Sequence, residues 1–243
     1  MEMKRHAVLL GNTNGLPGIH RDLEEFELLL RSDIGGAWED NEICKVYNAD
    51  LGWLRGYLHT IREEFFDYLI FYYSGHGALE RRNNTVLELN NNHEIITESE
   101  LINLADKQLN IFDCCRVATK PEETVNSILE SYNFSENPIR SWIRSIYNRR
   151  IMEAKEQFIC LYACSEGECA NATESGSIYT QQLIKATNIL SNSSDVLVKA
   201  AHDKAYFNVY IKSIVMGIPQ RPDICIVPNV KKNEQLIIAL KNN

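Results

Sequence analysis

The stretch Asn110-Ile-Phe-Asp-Cys-Cys-Arg-Val117 decides the fold. Its apolar part, together with Leu109, predicts a short buried strand that ends at Phe112. An acid, two neighbouring thiols and an arginine follow where the strand ends. In an open α/β sheet, ligands bind just beyond the carboxyl ends of the strands. The loop after this strand is therefore a candidate functional site.

A second stretch, upstream, has the same design. The aromatic run Tyr68-Leu-Ile-Phe-Tyr-Tyr73 predicts another buried strand, and the loop Ser74-Gly-His-Gly77 follows it. If the two strands are parallel neighbours, their loops meet at one edge of the sheet, and His76 lies beside Cys114 or Cys115. A histidine beside a cysteine is the minimum equipment for catalysis by a thiolate nucleophile.

Strands and helices alternate along the chain, which predicts one α/β domain with a mostly parallel sheet. Right-handed crossovers then bring the loops that follow the strands to one edge. A polar excursion over residues 78–92 is interpreted as a surface hairpin. The predicted strands cover residues 7–10, 43–47, 68–73, 109–112, 158–163 and 224–227, and the predicted helices cover 19–31, 51–66, 99–104, 178–190 and 195–214.

Composition excludes several classes of protein. The chain has 243 residues, 44% of them hydrophobic, and a net charge of −8, which argues against a general nucleic-acid binder. No apolar run approaches the roughly 20 residues of a membrane span, and the run Ala7–Leu10 is too short for a signal peptide. Seven cysteines without a secretion signal predict free thiols and a cytoplasmic location.

Three motifs together carry a resemblance to a known family. They are Tyr-Tyr-Ser-Gly-His-Gly (72–77), Asp-Cys-Cys-Arg (113–116), and Tyr-Ala-Cys (162–164) followed by Gly-Ser-Ile-Tyr-Thr (176–180). In this order, at strand ends, they resemble the caspase-like cysteine peptidases, the clan of caspases, metacaspases and paracaspases. The likeness runs from Ala7 to Val227 and is greatest to prokaryotic paracaspase or orthocaspase types.

The resemblance implies a caspase-like fold, with a mostly parallel six-stranded sheet flanked by helices on both faces. It implies a single peptidase domain over residues 1–243. Residues of about 1–117 correspond to a large subunit, about 118–157 to a linker with some helix, and about 158–243 to a small subunit. The residues leave open whether the apolar segment 236–240 of the tail packs on the core or binds a partner.

The resemblance also implies a catalytic pair, His76 and Cys115, with the backbone N–H groups of Gly77 and Cys115 as an oxyanion hole. Chemistry alone does not separate Cys115 from Cys114. Neighbouring side chains in an extended segment point in opposite directions, so at most one of the two thiols faces the histidine. No metal and no cofactor is needed for such a reaction.

The residue two before the nucleophile indicates the specificity. Caspases, which cut after Asp, have Gln there, whereas this chain has Asp113, as do metacaspases and paracaspases, which cut after Arg or Lys. Asp22 and Glu168 match two further acids of the paracaspase pocket, with Glu166 a nearby substitute for Glu168. Three converging acids would bind a guanidinium group. The alternative is that Asp22 and Asp113 only brace local backbone.

Four arginines lie in the expected linker, where members of the clan are often cleaved. If the pocket accepts Arg, these residues are candidate self-cleavage sites. The alternative is a basic helix that covers an acidic surface. The four are Arg140, Arg144, Arg149 and Arg150.

The function predicted here is a cysteine endopeptidase that cleaves protein substrates after Arg, and after Lys as a second choice. By analogy it is a zymogen-like effector of a prokaryotic defence or stress system, switched on by a partner protein, without nucleic acid or membrane. One alternative is a non-catalytic caspase-like adaptor that binds peptides. Another is a nucleotide-binding protein, which the spacing of Gly11, Gly15 and Gly18 disfavours because it fits no phosphate loop.

Overall fold

The computed structural model describes residues 3–80, 84–118 and 138–242. The helices are α1 (Ile19–Arg31), α2 (Leu51–Glu64), α3 (Pro138–Glu153), α4 (Ile178–Ser191) and α5 (Val198–Val215). The strands are β1 (Arg5–Gly11), β2 (Ile43–Tyr47), β3 (Phe66–Ser74), β4 (Gly77–Glu80), β5 (Asn84–Glu88), β6 (Ile95–Thr97), β7 (Ala105–Asp113), β8 (Gln157–Tyr162), β9 (Ala172–Thr173), β10 (Gly176–Ser177), β11 (Val196–Leu197), β12 (Asp223–Val227) and β13 (Ile237–Ala239).

The central sheet has six strands in the order β12-β8-β7-β3-β1-β2. All neighbours pair in parallel except β12, which runs antiparallel to β8 at one edge. The predicted mixed α/β fold with a mostly parallel six-stranded sheet is therefore confirmed. The two central strands, β7 and β3, are covered on both faces. This explains why long parts of their sequences are continuously apolar.

The side chains of β3 show how the sheet divides the core. Tyr68, Ile70 and Tyr72 join one apolar cluster, which α1, α4 and α5 cover. The intervening residues 69, 71 and 73 join the second cluster, on the face covered by α2. Alternation along a strand therefore supplies both faces of a sheet that carries helices on each side.

Strand β7 is longer than the predicted strand 109–112 because its first half contains buried polar residues. Gln108 donates to Leu101 O (2.5 Å) and accepts from Leu104 N (2.9 Å), and Asn110 also donates to Leu101 O (3.1 Å). These side chains form hydrogen bonds with main-chain groups of the turn before the strand. Their own polar groups are therefore paired although they are buried. The hydrophobic pattern therefore starts later than the strand itself.

The polar excursion after the histidine loop is more ordered than a hairpin. Strands β4, β5 and β6 form a three-stranded antiparallel sheet. The predicted helix over residues 99–104 is instead a short 3-10 turn over Glu98–Leu101. The main chain of this small sheet is hydrogen-bonded to the loop that carries His76, because Glu88 N donates to His76 O (3.0 Å).

The helix expected within the linker of residues 118–157 lies in its second half. Residues 138–153 form α3, a helix of 16 residues whose Tyr147 and Ile151 are fully buried in the core. The rest of the expected linker, residues 119–137, lies outside the described residues. The apolar spacing on this helix is weak because arginines, rather than apolar side chains, make many of its contacts.

Two ion-pair clusters hold α3 in place. Arg144 and Arg5 both reach Glu42, and although burial alone would raise the pKa of this acid, their hydrogen bonds lower it to about 2. At the other end Arg150 donates to Asp195 (2.8 Å). The helix is thus part of the folded body of the protein.

The C-terminal tail packs on the core, which answers the question that the sequence left open. Residues 236–240 are buried, and β13 pairs antiparallel with β11. Val198 N donates to Leu236 O (3.0 Å), and Leu240 N donates to Ile34 O (2.7 Å). In the described residues, no helix is long and apolar enough to cross a membrane.

We predict that Ile238→Ala destabilises the protein by about 2–5 kcal/mol, because it leaves a cavity where the tail meets the core. The matched control is Ile189→Ala, since Ile189 on α4 is 45% exposed and should change stability by only about 0.5 kcal/mol or less. Urea unfolding of both variants measures the difference. Equal effects would show that the tail does not belong to the cooperative fold.

Candidate active site

The register of β3 and β7 brings the two predicted site loops together. Ser74, the last residue of β3, pairs with Asp113, the last residue of β7. His76 and Cys115 each follow two residues later, on loops that leave the sheet at the same edge. Gly75 N donates to Asp113 O (3.1 Å), which ties the two loops at their origin.

Three contacts fix His76, two at its main-chain carbonyl oxygen and one at its imidazole ring. Tyr73 Oη donates to His76 O (2.5 Å), which also accepts from Glu88 N. The imidazole Nε2 lies 2.6 Å from Asn14 O in the loop after β1. A carbonyl can only accept, so Nε2 carries the proton in this contact and orients the ring.

The two neighbouring thiols have different environments. Cys114 is buried, and a Cβ placed on Gly77 would lie only 2.5 Å from its sulfur. Cys115 is partly exposed, and its sulfur lies 3.9 Å from Ala170 O. Of the two, Cys115 is the thiol that a substrate could reach.

The Cys115 thiol is protonated in this conformation. Burial, followed by the hydrogen bond and charge of Cys169, raises its pKa to about 12. Among the described residues, the hydrogen bonds of Cys115 and of His76 do not include one another. The loops are adjacent, but the thiol faces the segment after β8 rather than the imidazole.

Asp22 and Asp113 lie together beneath the site, both buried. Asp22 accepts from Ser177 N (2.8 Å) and Ser74 Oγ (2.9 Å), and Asp113 accepts from the Thr180 hydroxyl (2.6 Å) and main-chain N–H (3.1 Å). Burial first, and the charge of Asp113 second, raise the pKa of Asp22 to about 7. Burial also raises the pKa of Asp113. At neutral pH the pair therefore carries less than its full negative charge.

The small hairpin of β9 and β10 covers this pair. The two strands pair antiparallel, and the hairpin leads directly into α4 through Ser177, whose side chain caps that helix. The approach is so close that a Cβ on Gly176 would lie 2.3 Å from Asp22 Oδ1. Only a few per cent of either acid is accessible to solvent.

Glu168 does not join the acidic pair in this structure. Its carboxylate binds Arg221, accepting from Nε (2.5 Å) and from the main-chain N–H (2.8 Å). Glu166 approaches Arg116, at 3.5 Å. The structure therefore brings two of the three predicted acids together, whereas each glutamate faces an arginine.

Arg116 fastens the cysteine loop to the segment after β8. Its guanidinium group is buried, stacks on the Tyr162 ring at 4.0 Å, and donates to Thr85 Oγ1 (3.2 Å). Arg116 N donates to Glu168 O (2.9 Å), and Arg116 O accepts from Gly167 N (2.8 Å). The motif arginine thus has a structural role here.

Sequence reasoning missed several partners of the predicted site. Asn14 contributes only its carbonyl oxygen, which any residue type provides, so no signal could have found it. Ser177 and Thr180 belong to the quoted Gly-Ser-Ile-Tyr-Thr motif, and a helix start at this motif would have indicated N–H groups aimed at an acid. Within residues 3–80, 84–118 and 138–242, no group of three or more His, Cys, Asp and Glu side chains is arranged to hold a metal ion.

The four predicted self-cleavage arginines lie on α3. Arg144 binds Glu42 and Arg150 binds Asp195, and Arg140 donates to Trp38 O (3.3 Å). A peptide that binds by adding a strand to a sheet edge must be extended. Cleavage at these positions would first require the helix to unwind.

Comparison with known proteins agrees with this fold. The caspase-1 of Spodoptera frugiperda is 12% identical, with a TM-score of 0.61 over 99% of this chain and 91% of that chain. Protein GSU0716 from Geobacter sulfurreducens is also 12% identical, with a TM-score of 0.62 over 96% of this chain and 97% of that one. No curated protein matches significantly in sequence.

A match to the Caspase domain family, Peptidase_C14, covers residues 4–227, which is nearly the whole chain. It includes every strand of the central sheet and both loops that carry the predicted catalytic pair. The chain therefore belongs to the caspase domain family of cysteine peptidases.

Proposed function

We propose that this protein is a cysteine endopeptidase in which Cys115 is the nucleophile and His76 the general acid and base. The observation that carries the proposal is the pairing of Ser74 with Asp113, which starts the two loops side by side. The accessibility of Cys115, compared with the burial of Cys114, supports the choice between the thiols.

The hydrogen bond from His76 Nε2 to Asn14 O leaves Nδ1 available for proton transfer. When Cys115 turns towards the ring, Nδ1 takes the thiol proton and the thiolate attacks the scissile carbonyl carbon. The imidazolium then protonates the leaving amine, and water releases the acyl group through the same histidine.

The backbone N–H groups of Gly77 and Cys115 are the proposed oxyanion hole. In the described part of the chain, the N–H of Cys115 donates to no main-chain or side-chain acceptor, so it is free for a substrate oxygen. Removing one donor of this kind typically costs about 2.7–4 kcal/mol in the activation barrier.

The acidic pair Asp22 and Asp113 supports a pocket for Arg, and less well for Lys. A guanidinium group only donates hydrogen bonds. Placed between the two carboxylates, it would donate to both and relieve their mutual repulsion. An acidic side chain would add a third negative group and be rejected. We assign Glu168 a part only if its bond to Arg221 opens.

The alternative, that the acids only brace backbone, is also supported by contacts, because each carboxylate already accepts two hydrogen bonds. Bracing alone does not require two acids side by side, since neutral acceptors would satisfy the same N–H and O–H donors without mutual repulsion. For this reason we favour the pocket.

The proposed enzyme rests in a latent form. The thiol is protonated and faces Ala170, and the β9–β10 hairpin covers the acidic pair. Both features must change as a substrate binds, which lowers the activity of the free chain without abolishing it. We propose that a partner protein raises this basal activity, and the cytoplasmic location and self-cleavage on α3 stay predictions.

The proposal is tested with fluorogenic peptides that carry Arg, Lys or Asp before the reporter. We expect the wild type to cleave after Arg, less well after Lys and not after Asp. Cys115→Ala and His76→Ala should each reduce cleavage to background, because the catalytic pair works as one unit and each variant removes one of its two members. Cys225→Ala, at an exposed cysteine on β12, is the matched control and should retain activity.

Cleavage after Asp would keep the peptidase but overturn the roles of Asp22 and Asp113. Full activity of Cys115→Ala would overturn the assignment of the nucleophile. Absence of cleavage by the wild type, even after limited proteolysis of the chain, would favour the non-catalytic adaptor.

Asp22→Asn tests the acidic pair without a substrate. Because the folded protein raises the pKa of Asp22 to about 7, the folded state holds a proton that the unfolded state has already lost. The wild type should therefore lose stability, relative to the variant, as pH rises from 5 to 7, by up to about 1.4 kcal/mol per pH unit.

Urea unfolding of both proteins at several pH values measures this difference. Asp33→Asn, at an exposed acid after α1, is the control for the change of net charge. A constant difference between wild type and Asp22→Asn across this range would contradict the strained acidic pair.

A further inference from the structure

Four cysteines lie around the candidate site, of which the proposed function uses one. Cys114 and Cys164 are buried, and the Cys164 thiol donates to Cys114 O (3.3 Å) and Glu168 O (3.2 Å). Cys115 and Cys169 are both partly exposed. The second accessible thiol, Cys169, has no role in the proposed reaction.

The main chain sets Cys115 opposite Cys169. Gly167 N donates to Arg116 O, and Arg116 N donates to Glu168 O. Gly167 has a φ of +80°, so this is the pattern of a G1 bulge, in which two residues of one segment oppose one residue of an antiparallel partner. The residue before Arg116 then lies across from the residue after Glu168.

The side chains meet as this register requires. The Cys115 sulfur lies 3.9 Å from the carbonyl oxygen of Ala170, the residue that follows Cys169. The side chain of Cys169 also contributes to the raised pKa of Cys115, as expected for a neighbouring thiol. The Cα atoms of facing residues in an antiparallel pair lie about 4.5–5.5 Å apart, within the range that a disulfide spans.

We propose that Cys115 and Cys169 form a reversible disulfide when the protein meets a peroxide, and that this bond silences the nucleophile. The silencing part rests on the proposed function, whereas the bond itself does not. Cys169 is the thiol that peroxide oxidises first, and Cys115 is the resolving thiol.

The chemistry needs only the two thiols and hydrogen peroxide. Peroxide oxidises the Cys169 sulfur to a sulfenic acid and is itself reduced to water. The Cys115 sulfur then attacks the Cys169 sulfur, its proton leaves with the displaced oxygen as a second water, and the S–S bond forms. A dithiol reductant reverses the reaction by thiol–disulfide exchange.

The other cysteines near the site or on the sheet lack either a facing thiol or access to solvent for both members of the pair. The Cys164 thiol faces two carbonyl oxygens, and Cys114 packs against Gly77. Cys225 is exposed on β12, across the strand pair from the buried Cys160. Among the thiols near the site or on the sheet, Cys115 and Cys169 combine facing positions in the main-chain register with partial exposure of both.

The test is treatment of the full chain with hydrogen peroxide, followed by alkylation of free thiols and peptide mass spectrometry. The wild type should lose two of its seven thiols and yield one linked peptide that joins Cys115 to Cys169, lighter by two hydrogen atoms. Dithiothreitol should restore both thiols. Cys169→Ser should yield no link to Cys115, and Cys225→Ser should behave as the wild type.

Absence of the Cys115–Cys169 link, or a link from Cys115 to Cys164 instead, would overturn the proposal. Activity on the Arg peptide provides the second readout, in which the thiol-reversible loss should be present in wild type and absent in Cys169→Ser. A linked peptide in a protein that cleaves no substrate would instead refute the proposed peptidase and leave the disulfide standing.

Discussion

The parallel pairing of β3 with β7 is the constraint on which the rest of the structure depends. It pairs Ser74 with Asp113, so that the loops carrying His76 and Cys115 leave the same edge of the sheet side by side. A shift of one residue would turn every side chain of β7 to the opposite face. The two apolar clusters that cover the sheet therefore hold the site in register as well as stabilising the fold.

A second constraint is the burial of two acids where those strands end. Asp22 and Asp113 repel one another, and the start of α4 compensates by directing the N–H groups of Ser177 and Thr180 at them. A helix N-terminus also carries a partial positive charge, which favours carboxylates in that position. The β9–β10 hairpin leads into α4 and also covers Asp22 and Asp113. One segment therefore both hydrogen-bonds the two acids and shields them from solvent.

The fold was predictable because its signals are local. Strands buried on both faces have continuous apolar sequences, and the Ser-Gly-His-Gly and Asp-Cys-Cys-Arg loops follow two of them directly. The contacts that sequence reasoning did not foresee join residues far apart in the chain. Helix α3 is held by Glu42 and Asp195, and Glu168 is bound by Arg221, contacts between residues far apart in the chain that no local pattern reveals.

The central claim, that Cys115 is a nucleophile served by a pocket for basic side chains, is tested most directly by covalent trapping. The full chain is incubated with two chloromethyl ketone peptides that differ only in having Arg or Asp next to the reactive group, and the labelled residue is located by peptide mass spectrometry. The account predicts one adduct per chain, on Cys115, from the Arg reagent, and none from the Asp reagent. An adduct on Cys114 or Cys169, or equal labelling by both reagents, would contradict it.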